Sequence, residues 1–465
     1  MSSFSGLSGA LSALHAQRRA LEVAGNNIAN ANTEGYSRQR VTMQPIGAGA
    51  VPGLWSTSDV SNFGVRVDDV ERLRDAFLES RGRTEHTQNA YLTSQKAAYK
   101  TIENVFAEPS DTALAAQLGE FWGAWADAAN QPLEPAPRAA LIQRGTIVAD
   151  GLNGAYAALS AQWSAHRTQL DAYATEINTT ATSLAALNES IQQAGDSGLP
   201  VNELVDERDL QIMRLAELTG ATASVRSNGT VDVFLGGSTL VSGAVARQVE
   251  AAGATRLQDY DPDPTAAQHT RLRWTDASQA TVAVGGTVGS SLETMGTTLP
   301  YYAGELDRVA AAVAATVNAE HVNAFSADGS TGLNFFTGTT AADLRVAISD
   351  PDKVGLGSVA GTAGVDIATR LSLSGSAAGS ADEIYETMIT DLGVAAEAVD
   401  RRAAIQQVMT ADLDAARAST AGVNLDEEMT NMLTYQRGYE AASRVLTTID
   451  AMLDQLINRT GLVGR

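Results

Sequence analysis

The 465-residue chain contains no cysteine. That excludes disulfides, zinc-thiolate sites and thiol nucleophiles. Aromatics are scarce, at 5%, although 44% of the chain is hydrophobic. Much of that apolar content is alanine, which favours long, closely packed helices over bulky globular cores. Basic excess is missing too: the formal net charge is −22. Nucleic acid or an anionic bilayer calls for a positive surface, so neither nucleic-acid binding nor membrane insertion is expected. No apolar run reaches the 18 residues or more of a membrane span; the longest candidate, Val309–Val317, is short and mostly alanine. The first fifteen residues lack a basic start and a cleavage site, so no cleaved signal peptide is expected.

Chemical constellations are equally sparse. His15, His86, His166, His269 and His321 show no HExxH or other paired ligand spacing. The Gly-rich stretch GLGSVAGTAG, residues 355–364, lacks Gly-Lys-Ser/Thr and opens no helix. DYDPDP, residues 259–264, lacks the Gly and terminal Glu of an EF-hand loop, and its prolines favour a surface turn. There is no GxSxG. The expectation is a non-enzyme without catalytic residues, metal site or cofactor.

What is present is helical periodicity. Leu7, Leu11, Leu14, Leu21 and Ile28 follow a 4-3 spacing over 4–29, an apolar stripe that one helix cannot bury alone. Leu425, Met429, Met432, Tyr435, Tyr439, Ala442, Leu446, Ile449, Leu453 and Leu456 repeat it at the far end, with one short step at 432–435. Asn424 stands at the N-cap position before Asp426, Glu427 and Glu428. The two ends are expected to pair as a coiled coil, Leu7 to Ile28 meeting the stripe from Leu446 to Leu456; an ordinary pair of core helices is the plainer alternative.

Between them, 83–130 and 138–195 read as long helices and 201–219 as a shorter one. The period then changes: Val231, Val233 and Leu235 alternate after Asn228-Gly229, a hairpin signal, and 221–292 reads as a small β unit. Helix returns at 300–323, a loop-rich segment with a strand at Leu344–Ile348 fills 324–380, and helix resumes over 381–419. The expected fold is multidomain and mainly α with inserted β: a long helical bundle, terminal coiled-coil helices and a small β domain. The expected units are a terminal coiled-coil domain (1–60 with 420–465), a long-helix bundle (61–220, 300–323 and 381–419) and an outer β-rich domain (221–299 with 324–380).

The helix end GNNIANANTEGYSRQR, residues 25–40, is unusual. Asn32 to Gly35 suit a cap and turn, since Asn tolerates non-helical angles and Gly allows a positive φ. Asn26, Asn27 and Asn30 exceed that need. Amides on several helix faces can fix register between neighbouring chains.

Residues 2–41, with the Asn26–Thr33 core NNIANANT, together with 422–458, GVNLDEEMTNMLTYQRGYEAASRVLTTIDAMLDQLIN, resemble the two ends of the bacterial flagellar axial proteins. The continuation Gly35-Tyr36-Ser37-Arg38-Gln39 resembles the hook-associated members, as does VDERDLQIMRLAELTGA, residues 205–221. Where that family has Thr-Pro-Gly-Tyr, Glu34 replaces the proline, leaving the turn less preorganised. The resemblance implies a junction component between hook and filament in the extracellular flagellum, exported unfolded by the type III apparatus. It implies termini disordered in the monomer that form a coiled-coil tube on assembly. The implied partners are a ring of its own copies, hook protein, the second junction protein and an export chaperone. The expected assembly residues are the five α-stripe positions Leu7 to Ile28, then Asn26, Asn27, Asn30, Asn32, Gly35 and Tyr36, and Asn424, Leu425, Glu428, Tyr435, Tyr439, Leu446, Ile449, Leu453 and Leu456. Another axial component, or a secreted enzyme or adhesin with flagellar-type ends, are the alternatives.

Overall fold

The computed structural model describes residues 3–46, 64–360 and 363–459; of the expected terminal unit, 1–2, 47–60 and 460–465 lie outside them. Helix α1 (Ser3–Ala29) leads into antiparallel strands β1 (Gln39–Pro45) and β2 (Val65–Arg72), paired from Gln39 opposite Arg72 to Pro45 opposite Val65.

The single helix expected over 83–130 is two helices, α2 (Ala76–Phe106) and α3 (Leu114–Asn130). Ala107 closes α2 in the left-handed region at φ 48°. Pro109 then removes an N–H and disfavours helix at the residue before it. The Glu108 carboxylate accepts from Ala115 N at 3.1 Å and from Tyr385 Oη at 3.0 Å, so the break is also a tie to a distant helix.

Helix α4 (Pro135–Asp196) is continuous over 62 residues, roughly 90 Å. Its buried Leu141, Val148, Leu152, Leu159, Trp163, Leu170, Ile177, Leu184 and Ile191 give one core-facing stripe, and α3, α5, α7 and the small β units pack on it. After α5 (Asn202–Thr219), Gly220 ends the helix at φ 73°. The chain then turns to the four-stranded sheet of β3 (Thr222–Val225), β4 (Val231–Leu235), β5 (Ser238–Ser242) and β6 (Val245–Ala246), and to the pair β7 (Val249–Ala252) and β8 (Arg271–Trp274). Val231, Val233 and Leu235 are buried in alternation, and Asn228-Gly229 forms the turn.

The β unit expected to reach 292 stops earlier. Helix α6 (Gly286–Glu293) runs through a π turn, Thr294–Thr298, into α7 (Leu299–His321). Pro300 has no N–H to give the Gly296 carbonyl; Tyr260 Oη donates to it instead at 3.0 Å, while Trp163 Nε1 donates to Met295 O at 2.9 Å. The strand expected at Leu344–Ile348 shrinks to a two-residue pairing of β9 (Phe336–Thr337) with β10 (Arg345–Val346), and α8 (Asp366–Ser372) follows.

The outer unit expected from 221–299 plus 324–380 resolves into two separate attachments on α4. Asn178 and Asn188 bond to Val249 and Val231, whereas Asn153 bonds to Leu344 and Gly145 faces Phe335. Helix α9 (Ala381–Ala421) then packs along α2, and α10 (Leu425–Asp454) returns along α1. The molecule is mainly helical and multidomain, with small β parts, as the periodicities imply.

Candidate assembly joint at the foot of the terminal helices

Helices α1 and α10 are antiparallel. Gly6 approaches Ile449, Gln17 approaches Gly438, and Asn27 bonds to Glu428. The expected contact of all of Leu7 to Ile28 with Leu446–Leu456 therefore narrows. Only the first turns of α1 lie level with Leu446 and Ile449; Ile28 lies near Glu428. The seam also differs in kind. Ala10, Ala16, Ala20, Val23, Ala24 and Asn27 are the buried α1 residues, while Leu7, Leu14, Leu21 and Ile28 are half-buried and Leu11 is 48% exposed. Small residues let the backbones approach, and the leucines flank the seam. On α10, Tyr435, Tyr439, Leu446, Ile449 and Leu453 are half-buried, as their spacing implies, but Leu425 and Leu456 face outward.

The asparagines act within the chain. Asn27 is 1% exposed, and its amide is fully used. It donates to Gln39 O at 2.8 Å and Glu428 Oε2 at 3.1 Å, and accepts from Gln39 N and Tyr36 Oη, both at 2.9 Å. It is thus an internal pin, and no capacity is left for the inter-chain role expected of it. Asn30 donates to Asn26 O and Oδ1 at 3.1 and 2.9 Å, capping the helix end, and Asn26 reaches Glu203 Oε1 at 3.4 Å. Asn32 is exposed. Tyr36 N bonds to Thr33 O at 3.2 Å across a turn with Gly35 at φ 80°, the type II geometry in which glycine is favoured third. Glu34 fills the second position where proline would preset the angle.

Glu428, 3% exposed, is the acidic centre. Arg38 Nε donates to its Oε1 at 2.8 Å and the guanidinium continues to Glu427 at 2.6 and 3.0 Å. Bonding to Glu427 raises the Arg38 pKa further and lowers that of Glu427. Asn424 caps α10 as expected, accepting from Asp426 N and Glu427 N at 3.0 and 3.3 Å. Burial, then the charges of Asp206, Glu203 and Glu428, push the Tyr36 hydroxyl up to about 12, so it stays a donor.

The same segment docks on the body. Ser37 N donates to Asp206 Oδ2 at 3.2 Å and Arg38 N to Ala421 O at 3.0 Å. Arg72 bridges Asp206 and Asp209 at 2.7 and 3.2 Å; Arg74 pairs with Asp209 and, at 2.9 Å, with Glu79. Arg417 closes the chain of charges on Glu79 at 3.1 Å. A cavity of about 350 Å³ lies among Tyr36, Arg74, Glu79, His86, Asp209 and Asp414. Among the described residues no group of three or more His, Cys, Asp and Glu side chains could hold a metal ion.

Residues 99–336 match the family model described as the flagellar hook-associated protein FlgK helical domain. The chain belongs to the FlgK family of flagellar hook-associated proteins. Residues 7–36 match the flagella basal body rod protein model and 417–459 the C-terminal model of the flagellar basal body rod FlgEFG proteins. Those two segments are the ones that meet at the joint. The flagellar hook-associated protein 1 of Bacillus subtilis is 29% identical over the full length of both chains. That of Escherichia coli is 24% identical over 97% of this chain and 99% of its own. A solved structure of the flagellar hook junction protein FlgK from Burkholderia pseudomallei, 24% identical, aligns over 56% of this chain and 46% of that one with a TM-score of 0.49.

Pattern reading singled out Asn26 to Tyr36 and Glu428 but not Gln39, Asp206, Asp209, Arg72, Arg74, His86 or Asp414. Their partners are 130 residues or more away in most cases, and no local periodicity marks them. The charge density of VDERD, residues 205–209, is a local signal that could have marked the body side of the joint.

Proposed function

We propose that this chain is a structural subunit that joins hook to filament in the bacterial flagellum, acting by assembly and not by catalysis. The observation that carries the reading is the terminal helix pair. Away from α1, α10 leaves Leu425, Met429, Leu433, Val445 and Met452 each 47–58% exposed, and so many bared apolar side chains on one helix call for cover. Copies of the same chain supply it in a ring, through head-to-tail contacts that repeat around an axis. Asn26, Asn30 and Asn32, left at the surface, and the flanking Leu11 are the contacts between copies. Hook protein borders one side of the ring and the second junction protein the other. An export chaperone covers the apolar face before assembly, and the terminal helices become fully ordered only in the ring. The site of action is the extracellular flagellum.

Cells lacking their own hook-associated protein 1, supplied with this chain missing residues 1–40, should make bare hooks and a soluble, folded body. Filament growth on those hooks would refute the reading. Immunogold label of the intact chain should sit at the hook tip; label along the whole hook would make it a hook subunit instead.

A further inference from the structure

His86 of α2 stands between two other helices. Its Nδ1 lies 3.1 Å from Glu217 Oε1 on α5, and its Nε2 lies 3.0 and 3.1 Å from the two oxygens of Asp414 on α9. A neutral imidazole carries one N–H. With a carboxylate at each nitrogen, the neutral ring would aim a lone pair at an anion, whereas imidazolium donates to both. Only the protonated ring therefore satisfies all three helices. We propose that His86 is a proton-operated clamp: imidazolium ties α2, α5 and α9 together beside the joint, and its deprotonation releases the C-terminal end of α9.

The surrounding charges support the assignment. From α2 come Glu79, Arg83 and Glu85, from α5 Asp209 and Glu217, from α9 Asp414 and Arg417, from the segment before α2 Arg74, and from the turn after α1 Glu34 and Tyr36. The arginines have carboxylates of their own: Arg74 holds Glu79 and Asp209, and Arg417 holds Glu79 and Asp414. Glu217 has no arginine among these and faces His86. Hydrogen bonding to Glu217, then to Asp414, raises the imidazole pKa against the opposing effect of burial. The consequence reaches the terminal helices, because the end of α9 accepts Arg38 N at Ala421 O. Mild acid stiffens the connection between helix pair and body; alkali loosens it. The inference rests on reading this region as the joint of an axial subunit, but its test needs only the free chain.

Hydrogen exchange of the full chain should be followed from about pH 6 to about pH 9, corrected for intrinsic rates. Peptides covering 79–90, 212–219 and 406–421 should lose protection several-fold as pH rises, while 141–152, remote from the clamp, should not. His86→Gln should abolish the slope. A wild-type slope absent from these peptides, or unchanged in His86→Gln, overturns the proposal. Should that variant fail to fold, a carbon-13 titration of wild-type histidines against Glu217→Gln decides. The His86 midpoint should lie above the ordinary value and fall in the variant; a midpoint below 6.5, or one indifferent to Glu217→Gln, overturns it equally. Failure of either kind would leave the hook-junction assay untouched.

Discussion

Replacing Asn27 with alanine removes four hydrogen bonds at once, but their partners do not suffer equally. Tyr36 is half-buried and can turn to water, and Glu428 keeps Arg38. The N–H and C=O of Gln39, a residue 7% exposed, are left without a partner. Each orphaned buried group costs about 1–3 kcal/mol, so with two of them the joint should lose about 2–6 kcal/mol. Asn26→Ala breaks one 3.4 Å contact with Glu203 and an acceptor for Asn30 at a half-exposed site, for under about 1 kcal/mol. Asn27→Asp separates shape from chemistry. It keeps the acceptor for Gln39 N but turns a donor into a carboxylate facing Gln39 O and Glu428, and should be worse than alanine at neutral pH and partly restored by acid. A melt of the whole chain blends several units, so the measurement is the opening free energy at amides 39–41 by native-state hydrogen exchange. Equal effects of Asn27→Ala and Asn26→Ala would refute the assignment of Asn27 as the pin.

Asn26→Ala combined with Asn30→Ala should hinder incorporation at hooks more than it lowers the stability of the free chain; equal loss of both would mean the two amides serve only the helix end. Arg38→Ala strands Glu428 in a buried site and should cost about 3–5 kcal/mol locally, read by exchange at the start of α10. His321 is fixed as the neutral Nδ1–H tautomer: Nδ1 donates to Leu333 O at 2.7 Å and Gly355 N donates to Nε2 at 3.0 Å, and burial lowers its pKa. The unfolded chain therefore binds the proton first as pH falls below 6.5, so exchange at 333–336 and 354–357 should quicken in acid, opposite in sign to the His86 peptides. Gly438→Ala meets only the flexible end of Gln17, at 2.9 Å, and should be neutral or slightly stabilising through helix propensity, whereas Gly145→Ala meets Phe335 at 2.8 Å inside the core and should lower the melting temperature.

Long elements were legible because their periodicity is repeated many times. The 62 residues of α4 and the alternation of β4 needed no tertiary information. The break between α2 and α3 was missed although Pro109 marks it, because apolar residues at helical spacing lie on both sides of it, Ile102 and Phe106 before and Leu114 and Leu118 after. The α1 seam was misread because leucine is the larger hydrophobe, while close helix approach selects alanine. The joint was legible only on its two outer sides: Asn27 and Glu428 stood out in their own segments, but nothing local tells that Asn27 faces Glu428 or that Asp206 receives Ser37.

The excess of asparagine at the end of α1 has a counterpart elsewhere in the body that gives it a physical reason. Asn178 accepts from Val249 N and donates to Val249 O; Asn188 does the same to Val231; Asn318 accepts from Phe336 N and donates to Phe336 O. Asn27 does so to Gln39. Each is a helix-borne amide, and each partner is the first residue of a strand: β7, β4, β9 and β1. A strand that starts on a helix surface has no neighbouring strand there to take its first N–H and C=O, and a buried backbone pair left open is expensive. A side-chain amide offers donor and acceptor side by side, as a strand neighbour would; glutamate or aspartate could serve only the N–H. The device explains why these positions hold an amide and not a carboxylate. It also divides the cluster at the end of α1: Asn27 belongs to the fold, and Asn26, Asn30 and Asn32 are the ones that the proposed contact between copies would use.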